Sequence, residues 1–313
     1  MTTLVKQIKK YDDIVLLIIG YIIFERHYLN KQAVYILARQ FSFLGFVTLG
    51  VCLSTICSEL NLAGGSLAAF TAVCITYFST SAFPPIAAVM LSFLIILILA
   101  FFYGFFTIKI GISPVIFSFA LIYILNGIGQ KLQNNFLKKP WQHFFLFPAY
   151  GKILHLPFSL FSLTVFATIL ILFLHFTYLG RSFFAVGTNE TEAKQAGLPV
   201  NVIKMAAYVI SFIAIGIGGF FFLSRTTRGD CGMANNLNWD ILAALCLGHV
   251  NLNGGKGNII EILAGCLCVT LLNSFLTIAT IPFLQSRMIK GSIILLSLLC
   301  DSYRQKALRC GLN

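Results

Sequence analysis

The chain has 313 residues, of which 58% are hydrophobic and only 10% charged. Soluble domains carry about 25% charged residues, so a water-soluble domain, a disordered chain, a coiled coil and a secreted disulfide scaffold are all excluded. The formal charge of +12 is spread over loops between apolar runs, which points to anionic lipid headgroups and not to nucleic acid.

Charges are costly in hydrocarbon, so runs free of Asp, Glu, Lys and Arg mark candidate spans. The first, residues 14–24, follows a polar N-terminus and has no small-residue cleavage site after it, so it reads as a membrane anchor and not as a removable signal. Residues 40–58 come next. The run 60–108 is too long for one crossing, and Ser79-Thr80-Ser81 with Pro84-Pro85 splits it in two. Runs at 110–130, 153–180, 205–224, 241–255, 262–286 and 291–300 complete the set. At about 20 residues per span, the pattern predicts an all-α polytopic membrane protein of about ten transmembrane helices. Lys and Arg divide almost evenly between the two sides of such a topology, so the positive-inside rule selects no orientation.

Within the spans, Ser42, Thr48, Asn126, Asn273 and Ser274 either line a polar path or tie helices together by hydrogen bonds. The segments Asn61-Leu62-Ala63-Gly64-Gly65 and Asn251-Leu252-Asn253-Gly254-Gly255 share the pattern N-L-x-G-G. Glycine pairs permit a broken helix or tight re-entry. Asn61, Gly64, Gly65, Asn126, Gly254, Gly255 and Asn273 are therefore the candidate hinge or pathway residues. Ala214-Ile215-Gly216-Ile217-Gly218-Gly219 has small-residue spacing and reads as a helix-packing face. The nine cysteines contain no C-x-x-C pair and read as small buried hydrophobes.

The polar stretch 180–204, GRSFFAVGTNETEAKQAGLPVNVIK, contains the signals of a short water-exposed helix. Asn189 can cap it, with Glu192 completing an N-x-x-E capping box. Glu190 and Lys194 form an i,i+4 pair in the favourable order. Gly197 and Pro199 supply the stop, and Ala193, Ala196 and Gly197 predict a flat face of small side chains. So short a helix does not persist in water unless it docks on something. Composition alone favours a surface loop packed on its own protein.

Three stretches then carry a resemblance. The pattern G-R-x-x-x-A-V-G-x-N-x-x-x-A-x-x-A-G-L-P-V-x-x-x-K over 180–204 resembles the cytoplasmic coupling segment of permease subunits in bacterial ABC importers of the ribose, xylose and galactoside type. Asp240 to Gly248, with Leu252 and Gly254-Gly255-Lys256-Gly257, is similar to that family's D-A-I-A-A-V-V-L-G-G-x-x-L-x-G-G-x-G. Ser58 to Ser66 is similar to its G-G-I-D-L-S-V-G-S. Three departures stand out: Asn61 replaces the family's Asp, Gly64 a common Val, and His249 the second Gly of a pair.

The resemblance implies one transmembrane permease domain over residues 1–313 of a transporter that brings a sugar or sugar-like solute into the cytoplasm. Asn189, Glu190, Glu192, Ala193, Lys194, Ala196 and Gly197 would couple it to a cytoplasmic ABC ATPase. A periplasmic substrate-binding protein and a second permease copy or paralogue would complete the assembly in the bacterial inner membrane, with both termini cytoplasmic. A nucleoside, branched-chain amino-acid or autoinducer-type importer of the same superfamily is the neighbouring reading.

The chemistry in the chain is sparse. No G-x-x-x-x-G-K-[ST] loop occurs, so this chain is expected to hold no cofactor, with ATP and Mg used by the partner ATPase. The histidines, His27, His143, His155, His175 and His249, are scattered and form no metal-spaced pair. No catalytic and no metal residues are expected. The acidic residues lie at ends, loops and span edges, which disfavours the remaining alternative, an ATP-independent carrier or channel.

Overall fold

The computed structural model describes residues 31–80, 83–133, 142–153, 156–232, 234–279, 285–286 and 288–292. The expected first span, most of the expected last one and both chain ends lie outside them. In chain order the described helices are α1 (Lys31–Ile56), α2 (Gly64–Thr80), α3 (Pro85–Gly104), α4 (Pro114–Leu132), α5 (Gln142–Tyr150), α6 (Phe158–Phe176), α7 (Tyr178–Thr188), α8 (Glu190–Gln195), α9 (Val200–Thr226), α10 (Ala234–Leu247) and α11 (Ile259–Ile278). A π-turn, Phe105–Lys109, extends α3. Among the described residues β structure is confined to a two-residue antiparallel ribbon, β1 (Lys152–Ile153) with β2 (Leu156–Pro157), in which Lys152 faces Pro157.

Among the described residues six helices are long and apolar enough to cross a membrane: α1, α3 with its π-turn, α4, α6, α9 and α11. The sequence predicts about ten. Part of the difference is α2 and α10, apolar but only 17 and 14 residues long. α2 is short because it starts inside the body: a Cβ on Gly64 would lie 2.4 Å from Val51 of α1, more than a helical turn before α1 ends. The predicted turn between α2 and α3 falls where expected, with Pro85 in the first turn of α3. The run 153–180 holds α6 and the first three residues of a separate helix, α7, which Thr177 caps by accepting the Gly180 N–H at 3.0 Å.

α1 and α9 run along each other at the centre, brought together by small residues. A Cβ on Gly218 would sit 2.4 Å from Val47 of α1, and one on Gly219 2.4 Å from the Ala68 carbonyl of α2. The stretch Ala214 to Gly219 is thus a packing face, and Phe46 stacks on Phe221 beside it with centroids 4.8 Å apart. The outer helices present the opposite surface: on α3, Ile86, Met90, Leu94 and Ile98 recur every four residues and are each more than half exposed. Such a stripe suits hydrocarbon and not water.

Ser42 and Thr48 each donate to their own helix, to Ala38 O at 2.6 Å and Leu44 O at 2.8 Å, and Thr48 also hydrogen-bonds Cys266 of α11, so it ties two helices together. In an apolar surround the nearest acceptor is the carbonyl one turn back, and the side chain satisfies itself there.

Candidate functional site

Three chain segments meet where α1 ends. The Ile56 carbonyl accepts the Gly255 N–H at 2.9 Å. The Ser58 hydroxyl lies 2.7 Å from Asn253 O and 2.9 Å from Gly187 O, so one side chain cinches the α1–α2 turn, the end of α7 and the loop before α11. The backbones leave no room for side chains: a Cβ on Gly187 would lie 1.7 Å from Ile56 O, and one on Gly254 2.2 Å from Ser58 Oγ. Gly254 and Gly255 have φ of +93° and +75°, which glycine adopts without strain.

α8 leaves this junction at Asn189. Asn189 Oδ1 accepts the backbone N–H of Thr191 (3.1 Å) and of Glu192 (3.3 Å), and its Nδ2 donates to Glu192 Oε1 at 2.7 Å. At the other end Gly197, φ +79°, donates to Lys194 O while Leu198 donates to Ala193 O, closing a Schellman motif. The small-residue face is divided. Ala193 is buried against the body, whereas the helix stops at Gln195 and the left-handed cap turns Ala196 and Gly197 out to the surface. The outward face carries Thr191, Glu192, Lys194 and Gln195.

A line of charges runs inward from α8. Glu190 pairs with Lys194 at 2.8 Å and with Lys204 of α9, also at 2.8 Å; the Lys204 ammonium reaches Glu59 at 2.7 Å. Side-chain exposure falls from 57% at Lys194 through 41% at Glu190 and 13% at Lys204 to 7% at Glu59, so the line passes from surface to interior. The Tyr208 hydroxyl donates to the other Glu59 oxygen, and the Tyr103 ring meets Tyr208 edge-on. Lys194 first, and then Lys204, hold the Glu190 carboxyl below the usual carboxylate range.

The same turn leads into α2. Asn61 is buried; its Oδ1 accepts the Ala63 N–H at 2.9 Å, and its Nδ2 has no partner among the described residues. The first turn of α2 is capped from α10, where Asn238 Oδ1 accepts the Gly65 and Ser66 N–H groups at 2.8 and 3.2 Å. Gly64 and Gly65 lie in that turn, tight against Val51 and Asn238. The structure thus gathers the 189–197 group, Gly254 and Gly255, and the turn bearing Asn61 at one end of the bundle. Asn126 on α4 and Asn273 on α11 stand apart from it, and Asn273 donates to Asp240 Oδ2 at 2.9 Å.

Comparison with known proteins gives the family of the chain. The family described as branched-chain amino acid transport system / permease component matches residues 33–298. The chain belongs to this family. Among curated relatives, the permease is 24% identical over 258 residues to the probable ABC transporter permease protein YphD of Escherichia coli, covering 82% of this chain and 78% of that protein. It is 24% identical over 271 residues to the ribose import permease protein RbsC of Bacillus subtilis, covering 85% and 83%. Against the L-arabinose transport system permease protein AraH of Escherichia coli it is 28% identical over 206 residues, covering 66% and 63%. No solved structure matches it.

Two residues of the permease's charged line and two of the junction beside it were absent from the sequence-derived site. Glu59, Lys204, Ser58 and Gly187 all fall inside the stretches that carried the resemblance, but spacing alone gives no sign that residues 59 and 204 touch. Among the described residues no group of three or more His, Cys, Asp or Glu is placed to hold a metal ion, and the cysteines are buried with no disulfide.

Proposed function

We propose that this permease is the membrane-spanning subunit of an ABC importer for a sugar or sugar-like solute. The observation that carries the reading is Lys204, which ties the exposed, doubly capped α8 to the turn from which the buried α2 begins. An ATPase that docks on α8 and moves it pulls directly on that turn, and α2 and α9 move with it. ATP and Mg are used by the partner, and a periplasmic binding protein delivers the solute. The sugar assignment is supported by the ribose and arabinose relatives.

Counting α2 and α10 with the six longer helices, and adding the apolar segments 14–24 and 291–300, gives ten crossings, with both termini on the α8 side in the cytoplasm. A second copy or a related permease completes the pathway. The decisive measurement is uptake of labelled D-ribose and L-arabinose into proteoliposomes holding the permease, its ATPase and its binding protein. Uptake should require ATP hydrolysis. Uptake by the permease alone would make it a carrier, and ATP-driven uptake of leucine but of neither sugar would move the substrate class to amino acids. A cysteine at Thr191 should react with impermeant thiol reagents in inverted vesicles and not in intact cells.

A further inference from the structure

A cavity of about 600 Å³ opens between α1, α9, α10 and α11. Its volume lies in the range of small-molecule sites, roughly 300–1,000 Å³. Arg225 on its wall stands about 32 Å along α9 from Lys204 at 1.5 Å per residue, so the cavity lies at the end of the bundle opposite the coupling line. Three charged side chains line it: Arg225, Asp240 and Lys290. Asp240 is already served, because it accepts from Asn273 Nδ2 at 2.9 Å and from Lys290 Nζ at 2.8 Å. Arg225 is partly buried and makes no hydrogen bond or ion pair among the described residues. Its electrostatic neighbours are Tyr150 and Arg39; the Arg39 guanidinium, 4.2 Å from the Tyr150 ring centroid, sets a further positive charge behind it. Two cations against one carboxylate leave the lining with a net positive charge.

We propose that this cavity binds a small polyhydroxylated anion, a sugar that bears a carboxylate or a phosphate. The proposal rests on the sugar-importer reading and goes beyond the neutral sugars for which the relatives are named. Charge selects the class. A neutral sugar leaves the Arg225 guanidinium without a counter-charge, and a cation held partly out of water with no partner is costly. A zwitterionic amino acid brings a carboxylate but also an ammonium, and the acid that would receive it, Asp240, is taken by Lys290. An anion with no cationic group cancels the excess. The guanidinium presents its donors in a planar fork that meets a carboxylate or phosphate through two parallel hydrogen bonds. Gln40, Asn236 and Thr277 place amide and hydroxyl groups on the same lining, the chemistry that sugar hydroxyls pair with. A bare inorganic anion would fill a small part of the volume and leave those groups unused.

The test uses the permease–ATPase complex in nanodiscs with Thr277→Cys, a position on the cavity lining, in a background without native cysteines, and follows modification by an uncharged thiol reagent. Millimolar D-ribonate or D-ribose 5-phosphate should slow modification at least tenfold and D-ribose less than twofold; which of the two anions protects better identifies the carboxylate or the phosphate as the group held. Arg225→Gln should remove this protection, and Arg225→Lys, which keeps the charge, should retain part of it. Undiminished protection with Arg225→Gln would overturn the proposal. Equal protection by D-ribose would overturn the anionic class, and equal protection by inorganic phosphate would reduce the site to a general anion trap and overturn the sugar part. Protection by L-leucine alone would give the cavity to an amino acid. No protection by any of these, while the importer still takes up sugar with ATP hydrolysis, would strike out the site and leave the importer reading standing.

Discussion

The Lys204 ammonium lies 2.7 Å from a Glu59 carboxylate oxygen although 145 residues separate them in sequence (204 − 59). The same ammonium holds Glu190, so one cation is shared by a buried and a surface carboxylate. The two partners should behave differently. Glu59→Gln leaves a mostly buried ammonium short of its inner counter-charge, a loss of about 3 kcal/mol at the lower end for breaking buried pairs. Glu190→Gln removes a half-exposed pair worth about 0–1 kcal/mol. Thermal unfolding in detergent should show a clear drop for the first and almost none for the second, while both lower transport per ATP hydrolysed. Equal drops in stability would mean that Lys204 draws no more from the inner partner than from the outer.

Where the resembling family has Asp, this chain has Asn61, and the carboxylate that meets Lys204 comes from two positions earlier in the same turn. The exchange Glu59→Gly with Asn61→Asp should therefore restore coupling that Glu59→Gly alone destroys, because the cation needs a carboxylate in this turn and not at one particular residue. Asn61→Asp alone should be destabilising, since it buries a second negative charge beside the first. Transport and unfolding temperature for the three variants check the set. A double variant no better than Glu59→Gly would show that residue 59 cannot be replaced from residue 61.

Much of the fold was legible because hydropathy fixes where charge-free helices run: the α2–α3 turn follows from Ser79 to Pro85, and the capped α8 from Asn189, Glu192 and Gly197. α7 was not, because Tyr178, Leu179 and Gly180 carry the charge-free run of α6 past the break at Thr177 and conceal it, while the rest of α7 falls beyond Arg181 in the polar stretch. The inward burial of Ala193 was also hidden, since a sequence does not show which side of a two-turn helix meets its own protein. The Glu59–Lys204 contact depends on how α1 and α9 pack, which leaves no local pattern.

Two non-glycine residues in left-handed conformations give opposite expectations. His249, φ +53°, follows the last turn of α10 and donates to Cys246 O in a Schellman motif, where glycine is the favoured residue. His249→Gly gives up the contact that the residue makes but relieves about 1 kcal/mol of left-handed strain; the relief should win, and the unfolding temperature should rise. Ser58, φ +64°, bears the same strain, but its hydroxyl joins Gly187 and Asn253. Ser58→Gly should lower the unfolding temperature despite the relief, because the Gly187 and Asn253 carbonyls lose the one hydroxyl proton they share.

The Glu190 carboxyl is held below the ordinary range, by Lys194 and then Lys204. A group whose folded pKa is depressed contributes stability that is complete above its unfolded value and is lost as pH falls through the folded value. The α8 anchor should therefore survive acidification past the usual carboxylate range and fail only below it. Association of the permease with its ATPase, followed by light scattering as pH falls, should show that late loss. Glu190→Gln should shift the loss to higher pH or remove it.

The division of the small residues around α8 gives the sharpest separation of folding from docking. Ala193 is buried, so Ala193→Trp forces a large ring between α8 and the body, and overpacking of this kind costs about 1–3 kcal/mol. Ala196 is exposed in the turn that caps the helix, and a ring there meets only solvent in the isolated permease. Ala196→Trp should therefore insert and unfold like the parent protein, yet bind the ATPase more weakly and lose sugar-stimulated ATP hydrolysis. Ala193→Trp should show lowered thermal stability before any partner is added. Full ATPase binding and transport by Ala196→Trp would separate α8 from the docking surface and return this segment to an ordinary loop packed on its own protein.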